Sequence, residues 1–293
     1  MLPCLITLSD INLWALAGTG LIAGLLGSML GVGGGLIIVP VLTLALHLPI
    51  QIAAGSSLVA IVANACTAAG LYTRAGMTNI KLGLLLETAT IPGAIIGGFI
   101  AALIPASILN ALFGIVLIYV GYTMVARNYF EPQHADTNMS VGSTKSRRDF
   151  SDALSDSYHD EKLDKDVNYK VKRTPIGLGA GFFAGILSSL LGIGGGIIKV
   201  PVMHLVMEVP MKAAIATSTL MIALTAAAGA FVYQYHGNLQ PFVIAPLVIG
   251  IVIGSRVGVE LTKKTRGVWL RRIFGVFLFL VAVLMFLKTA NII

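Results

Sequence analysis

Only a handful of side chains in the apolar parts of this sequence could hold or move a charge. Lys199 stands three residues past the triplet Gly194-Gly195-Gly196, in a run of Ile and Val. An ammonium in such a setting attracts an anion, pairs with a carboxylate, or snorkels toward head groups. Glu87 lies about two turns beyond Lys81, deep enough to carry a proton and shallow enough to sit near head groups. Arg256 follows Gly250 and Gly254 and has Glu260 as its i+4 neighbour, so it reads as a site arginine or as half of an interfacial pair.

Two glycine clusters accompany these charges. Gly31-Val-Gly33-Gly34-Gly35 and Gly192-Ile-Gly194-Gly195-Gly196 each precede a Val-Pro pair, with Pro40 and Pro201 five residues past the last glycine. A helix broken inside a membrane exposes backbone groups that lipid cannot satisfy, so such breaks occur where protein or a polar cavity receives them. Missing side chains let a ligand approach the chain, and the helix restarting after each cluster offers free N–H groups and a positive dipole end to an anion. The competing reading is close helix packing, which suits Gly20/Gly24, Gly93/Gly97 and Gly250/Gly254/Gly258. Ser28, Ser57, Ser189 and Ser218 are candidate donors to the same ligand, although intramembrane serines commonly bond their own helix. Asn64, in mid-run, either lines a cavity or bridges helices.

Enzyme chemistry finds little support in the pattern. There is no G-x-S-x-G, no H-E-x-x-H, no pair of intramembrane carboxylates, and no strand–glycine–helix context for a nucleotide. Cys4 and Cys66 have no metal-ligand spacing, so neither metal nor cofactor is expected.

The elements that hold these residues follow from composition. Of 293 residues, 56% are hydrophobic and 11% charged, too little polar surface to cover a water-soluble globule. The expected fold is an all-α polytopic membrane protein. Apolar runs at about 12–30, 35–46, 51–73, 82–103 and 107–126 are followed by runs at about 175–191, 196–207, 212–235, 241–261 and 268–287. The first two runs of each set are short and separated by the glycine cluster alone, which predicts a broken or re-entrant helix. Met1–Asp10 contain no Lys or Arg, so the first span is expected to be retained.

The runs form a repeat. At an offset of 161 residues the glycine clusters coincide, and Ser57 matches Ser218, Tyr72 matches Tyr233, Gly76 matches Gly237 and Gly114 matches Gly275. An N-terminal repeat (1–127), a charged linker (128–173) and a C-terminal repeat (174–293) are therefore expected. The linker holds eight Lys/Arg and nine Asp/Glu and is expected to be solvated and cytoplasmic, with a short helix around 152–166. Twelve Lys/Arg against four Asp/Glu remain elsewhere, mostly at span ends, where they set topology; nucleic acid is not an expected partner. Arg74 and Lys81 flank the third connection of the first half, whereas in the second half basic residues crowd the following connection instead. The two repeats, of about four to five helical segments each, are thus expected to be inverted relative to one another.

The doubled G-x-G-G-G-x-x-x-x-P signature resembles the TauE/SafE family of integral membrane transporters, and the resemblance covers both halves. It implies an anion exporter of the bacterial inner membrane, handling sulfite, an organosulfonate such as sulfoacetate, or a related carboxylate. The expectation is a secondary transporter in which the two glycine breaks (Gly31, Gly33, Gly34 and Gly35; Gly192, Gly194, Gly195 and Gly196) with Lys199 form one anion site, served by alternating access. An anion channel, a carrier of a non-sulfur carboxylate and, more distantly, a membrane-embedded enzyme remain alternatives. Expected partners are a small anion, the lipid bilayer and, as an open alternative, a second copy of the chain in a homodimer.

Overall fold

The computed structural model describes residues 13–126, 154, 156–160, 165–264, 275 and 278–285. Cys4, most of the linker, Arg266, Arg271, Arg272 and part of the run at 268–287 lie outside them. The first half comprises α1 (Leu13–Leu30), α2 (Gly35–Pro40), α3 (Ile50–Arg74), α4 (Ile80–Leu103) and α5 (Ala106–Ala126). The second comprises α6 (Thr174–Leu191), α7 (Gly196–Pro201), α8 (Met211–Tyr235) and α9 (Pro241–Lys264), and residues 275 and 278–285 are also helical. Among the described residues six helices, α1, α3, α4, α6, α8 and α9, are long and apolar enough to cross a membrane. Trp14, Leu103, Phe183, Phe231 and Ile249 are exposed on the outside, a surface suited to lipid. The protein is a multi-pass membrane protein.

Local rules explain the boundaries. Pro49 and Pro210, in extended backbone, open α3 and α8. The Asn79 side chain accepts from the Leu82 N–H at 2.9 Å and caps α4. Pro40 and Pro201 each lack the N–H of a ladder bond, and the chain widens directly afterwards into a five-residue π turn, Val41–Ala45 and Val202–Val206. His47 and Glu208, again 161 apart, then take left-handed φ of 51° and 59° before the next helix starts.

Packing follows the small residues. Gly20 and Gly24 of α1 lie against the backbone of Leu247 and Ile251, while Gly250, Gly254 and Gly258 of α9 lie against Ala17, Leu21 and Leu25. Residue numbers rise together on both helices, so α1 and α9 run parallel. The same holds for α4 and α6, where Gly93 and Gly97 meet Phe182 and Ile186 and Gly185 meets Thr90 and Ala94. Each of these helices therefore packs against one from the other half. Between lipid-like neighbours this intimacy comes from glycine, since backbones approach only where no Cβ intervenes.

The helices α3 and α8 are the most buried and cross the middle of the molecule. Gly55 of α3 lies beside Tyr233 near the end of α8, and Leu58 beside Gly229, whereas Asn79, beyond the end of α3, bonds Thr217 near the start of α8 at 3.0 Å. These two helices, which occupy equivalent repeat positions, are antiparallel.

The linker differs from its expected form. In place of a helix around 152–166, strands β1 (Asp156–Asp160) and β2 (Lys165–Tyr169) pair antiparallel, with Tyr158 opposite Val167. Tyr and Val favour a strand and the interspersed Asp, Asn and Ser disfavour a helix interior, which tips so short a segment toward a hairpin. Asn79 holds it, donating to the Leu154 carbonyl at 2.8 Å and the Tyr169 hydroxyl at 3.2 Å.

Candidate functional site

Each glycine cluster turns the chain back on itself. Gly31, Gly33 and Gly34 have φ of 66°, 88° and 91°, and Gly192, Gly194 and Gly195 have 70°, 81° and 71°. Three left-handed residues within four positions are open to glycine and strained for other residues. At the first turn the N–H groups of Val32 and Gly33 both donate to the Gly27 carbonyl, and at the second Ile193 donates to Ser188. A new helix then begins, with Gly34 or Gly195 at its N-cap and no side chain capping it.

The serines that the repeat aligns hold these turns across the two halves. Ser57 of α3 donates to the Gly192 carbonyl at 2.9 Å, and Ser218 of α8 donates to the Gly31 carbonyl at 3.0 Å. The two bonds are reciprocal, each running from a helix of one half to the glycine turn of the other. Asn64 adds a third bond, from Nδ2 to the Gly33 carbonyl at 2.9 Å. A Cβ on Gly35 would overlap the Gly192 carbonyl, and one on Gly196 would overlap the Gly31 carbonyl. Ile61 and Ile222, themselves repeat equivalents, pack against both Gly33 and Gly194. In this conformation the space between the two turns is filled by backbone and two isoleucines.

Among the described residues, buried charge lies on one side of this junction. Lys199, in the last turn of α7, has 3% of its surface exposed, Glu87 of α4 has 2%, and Thr225 of α8 has none. The Lys199 ammonium lies 2.9 Å from Glu87 Oε1 and donates to Thr225 Oγ1 at 2.6 Å. Thr225 Oγ1 is in turn 2.8 and 3.0 Å from the two Glu87 oxygens and 2.9 Å from the Met221 carbonyl, so its one proton has a choice of acceptors. A water-sized cavity lined by Lys199, Leu86, Gly181, Val202, Met203 and Met221 adjoins the cluster. Ion pairs this deep leave no solvent to compensate either partner, so the geometry holds only while both are present.

The first half has a neutral counterpart. Asn64 stands at the repeat position of Thr225 and Ile38 at that of Lys199. Ser28 donates to the Leu25 carbonyl at 3.1 Å or the Ser255 carbonyl at 3.3 Å, Ser255 donates to the Asn64 carbonyl at 3.3 Å, and the Tyr72 hydroxyl donates to the Ser28 carbonyl at 3.1 Å. One broken helix thus carries an ion pair, and its equivalent carries amides and hydroxyls.

The remaining candidates separate. Ser189 is buried between Gly98 and Gly229 and its hydroxyl has no partner, and neither does that of Ser188, which touches Gly195. Arg256 lies on the exposed face of α9, not with the buried cluster. Thr225, Ser188 and the isoleucine pair carry no sequence motif. The repeat offset of 161 from Asn64 is the sequence signal that leads to Thr225.

The sequence profile of the family described as "Sulfite exporter TauE/SafE" matches residues 16–285. The probable membrane transporter protein YunE of Bacillus subtilis is 28% identical over 252 residues, covering 84% of this chain and 86% of that protein. A probable membrane transporter protein of Methanocaldococcus jannaschii is 27% identical over 261 residues, with 84% of each chain covered. One from Haemophilus influenzae is 26% identical over 290 residues, covering 92% of this chain and 96% of that one. No solved structure gives a significant match.

Proposed function

Because the chain belongs to the sulfite exporter TauE/SafE family of membrane transporters, we propose that it exports a small anion, sulfite or an organosulfonate such as sulfoacetate, by alternating access in a bacterial inner membrane. The observation that carries this reading is the buried Lys199 ammonium in a broken helix, fixed by a carboxylate that a substrate anion can replace. The anion is held by Lys199 and by the glycine turns at Gly192–Gly196 and Gly31–Gly35, with the hydroxyls of Ser188 and Ser189 within the same region. The repeats 1–127 and 174–293 are inverted, a reading supported by the antiparallel course of α3 and α8 and by the crossed serine bonds. Ile61 and Ile222 form the barrier that the two halves open in turn. Backbone and two isoleucines packed between the turns favour a carrier over a continuous pore.

Counterflow tests the reading. Proteoliposomes loaded with unlabelled sulfite should take up labelled sulfite several-fold faster than unloaded ones, because a loaded site returns faster than an empty one. Equal uptake at saturating sulfite contradicts a carrier and fits a channel.

A further inference from the structure

The cluster places two negative groups in competition for one buried cation. Lys199 has its ammonium on Glu87 Oε1 and Thr225 Oγ1, and both carboxylate oxygens are within hydrogen-bond distance of Thr225. A substrate anion that reaches Lys199 while Glu87 stays ionised leaves two negative charges beside one positive charge in a water-poor interior, where each uncompensated charge costs several kcal/mol. No other charge lies at hand to absorb the excess. Among the described residues, α6 carries no titratable side chain, α8 carries Lys212, Tyr233 and Tyr235 toward its ends, and α7 with its π turn carries only Lys199 and His204, whose ring nitrogen meets the Val209 carbonyl at 2.9 Å. On α4 itself, Lys81 is exposed.

We infer that Glu87 is the built-in counter-anion of Lys199 and must take up one proton before the transported anion can replace it, so that each anion travels with one proton. This rests on the transport reading above and specifies its coupling ion. In the empty state Lys199⁺ and Glu87⁻ neutralise each other. In the loaded state the proton sits on a Glu87 oxygen, so a monoanion such as hydrogensulfite leaves no excess charge beside Lys199⁺, and sulfoacetate, a dianion near neutral pH, leaves one negative charge instead of two. Thr225 makes the exchange local. Its hydroxyl donates to Glu87 while the carboxylate is ionised, accepts from it once protonated, and can then turn its own proton to the anion. Among the described residues the first half, with Ile38 and Asn64 at the equivalent positions, has no such pair, which points to a single coupled site there. Export then proceeds only while the outward anion gradient exceeds the inward proton gradient, a tenfold anion ratio balancing about one pH unit at zero membrane potential.

Sulfoacetate is the decisive probe, because near neutral pH it binds no proton of its own. In proteoliposomes with the membrane potential clamped to zero, an alkaline lumen should drive labelled sulfoacetate to accumulate about tenfold per pH unit. In Glu87→Gln the accumulation ratio should fall to about one and the exchange rate should lose its pH dependence. In Glu87→Asp accumulation should persist with a displaced pH profile. A wild type that exchanges sulfoacetate but does not accumulate it, or a Glu87→Gln variant that accumulates it as the wild type does, overturns the coupling while leaving the carrier intact. If Glu87→Gln does not insert, an Asp profile identical to the wild type's overturns it. A wild type that shows no counterflow of sulfite or sulfoacetate at equal pH overturns the transport reading, and the coupling falls with it.

Discussion

Lys199→Met alone should destabilise the protein more than Lys199→Met combined with Glu87→Met. The single change leaves a carboxylate buried at 2% exposure with Thr225 as its remaining partner, and breaking a buried pair from one side costs about 3–5 kcal/mol. Replacing both partners with apolar side chains of similar size removes the penalty, and such replacements are commonly neutral or stabilising by about 1–4 kcal/mol. Thr225 loses nothing essential in the double variant, because its hydroxyl still reaches the Met221 carbonyl at 2.9 Å. Unfolding in mixed detergent–denaturant micelles reads the order directly. The wild type and the double variant should unfold close together and the single variant well before either. A single variant as stable as the double one means that Glu87 is not held by Lys199. Neither variant should transport. On the proposed reading the pair serves transport and not stability, and transport in the double variant would contradict that.

Gly196→Ala should abolish transport and lower stability by more than the usual cost of core overpacking, about 1–3 kcal/mol. The new Cβ would overlap the Gly31 carbonyl oxygen and fall 2.7 Å from Ile222 Cδ1 and 3.0 Å from Val32 Cα. Backbone cannot yield as a flexible side chain can, and the same carbonyl is already fixed by Ser218. The two turns would be forced apart at the point where the halves meet. Gly179→Ala is the control, since nothing lies within 4 Å of its Cβ position and alanine is the better helix former by up to about 1 kcal/mol. Its repeat equivalent Gly18 is equally open. Gly196→Ala with thermal stability and transport equal to those of Gly179→Ala would show that the junction opens without resistance and is no barrier.

Most of the architecture was legible because membrane helices are constrained by the bilayer alone. Lipid demands long apolar runs with satisfied backbones, so the runs at 51–73 and 212–235 appear as Ile50–Arg74 and Met211–Tyr235 with little change. The repeat offset was equally readable, because Gly, Pro, Ser and Tyr kept their places. The site was legible in parts and not in its assembly. Lys199 and Glu87 each stood out as a charge in an apolar run, but 112 residues separate them and nothing local brings α4 to α7. That neighbourhood comes from the crossed packing of α4 on α6, which depends on where glycines of one half meet backbones of the other.

The glycine turns illustrate the opposite limit. Their left-handed backbone was predictable from composition, whereas the packing of Ile61 and Ile222 between them was not, because an apolar side chain in a membrane span has no preferred face until its neighbours are known. Arg256 shows the same ambiguity with the other outcome, since a residue one step from buried Ser255 lies on the outer face. The linker hairpin escaped because a polar segment has no hydrophobic period to read, and it is placed by Asn79 through bonds to Leu154 and Tyr169.

The central claim is that a substrate anion takes the place of Glu87 on Lys199. Isothermal titration of purified wild-type protein and of the Lys199→Met/Glu87→Met variant with sulfoacetate tests it most directly, because the double variant keeps the fold while removing the ammonium. Loss of a charged hydrogen bond worth about 1.5–3 kcal/mol predicts affinity weaker by about 10–150-fold in the variant. Equal affinity in the two proteins would contradict it.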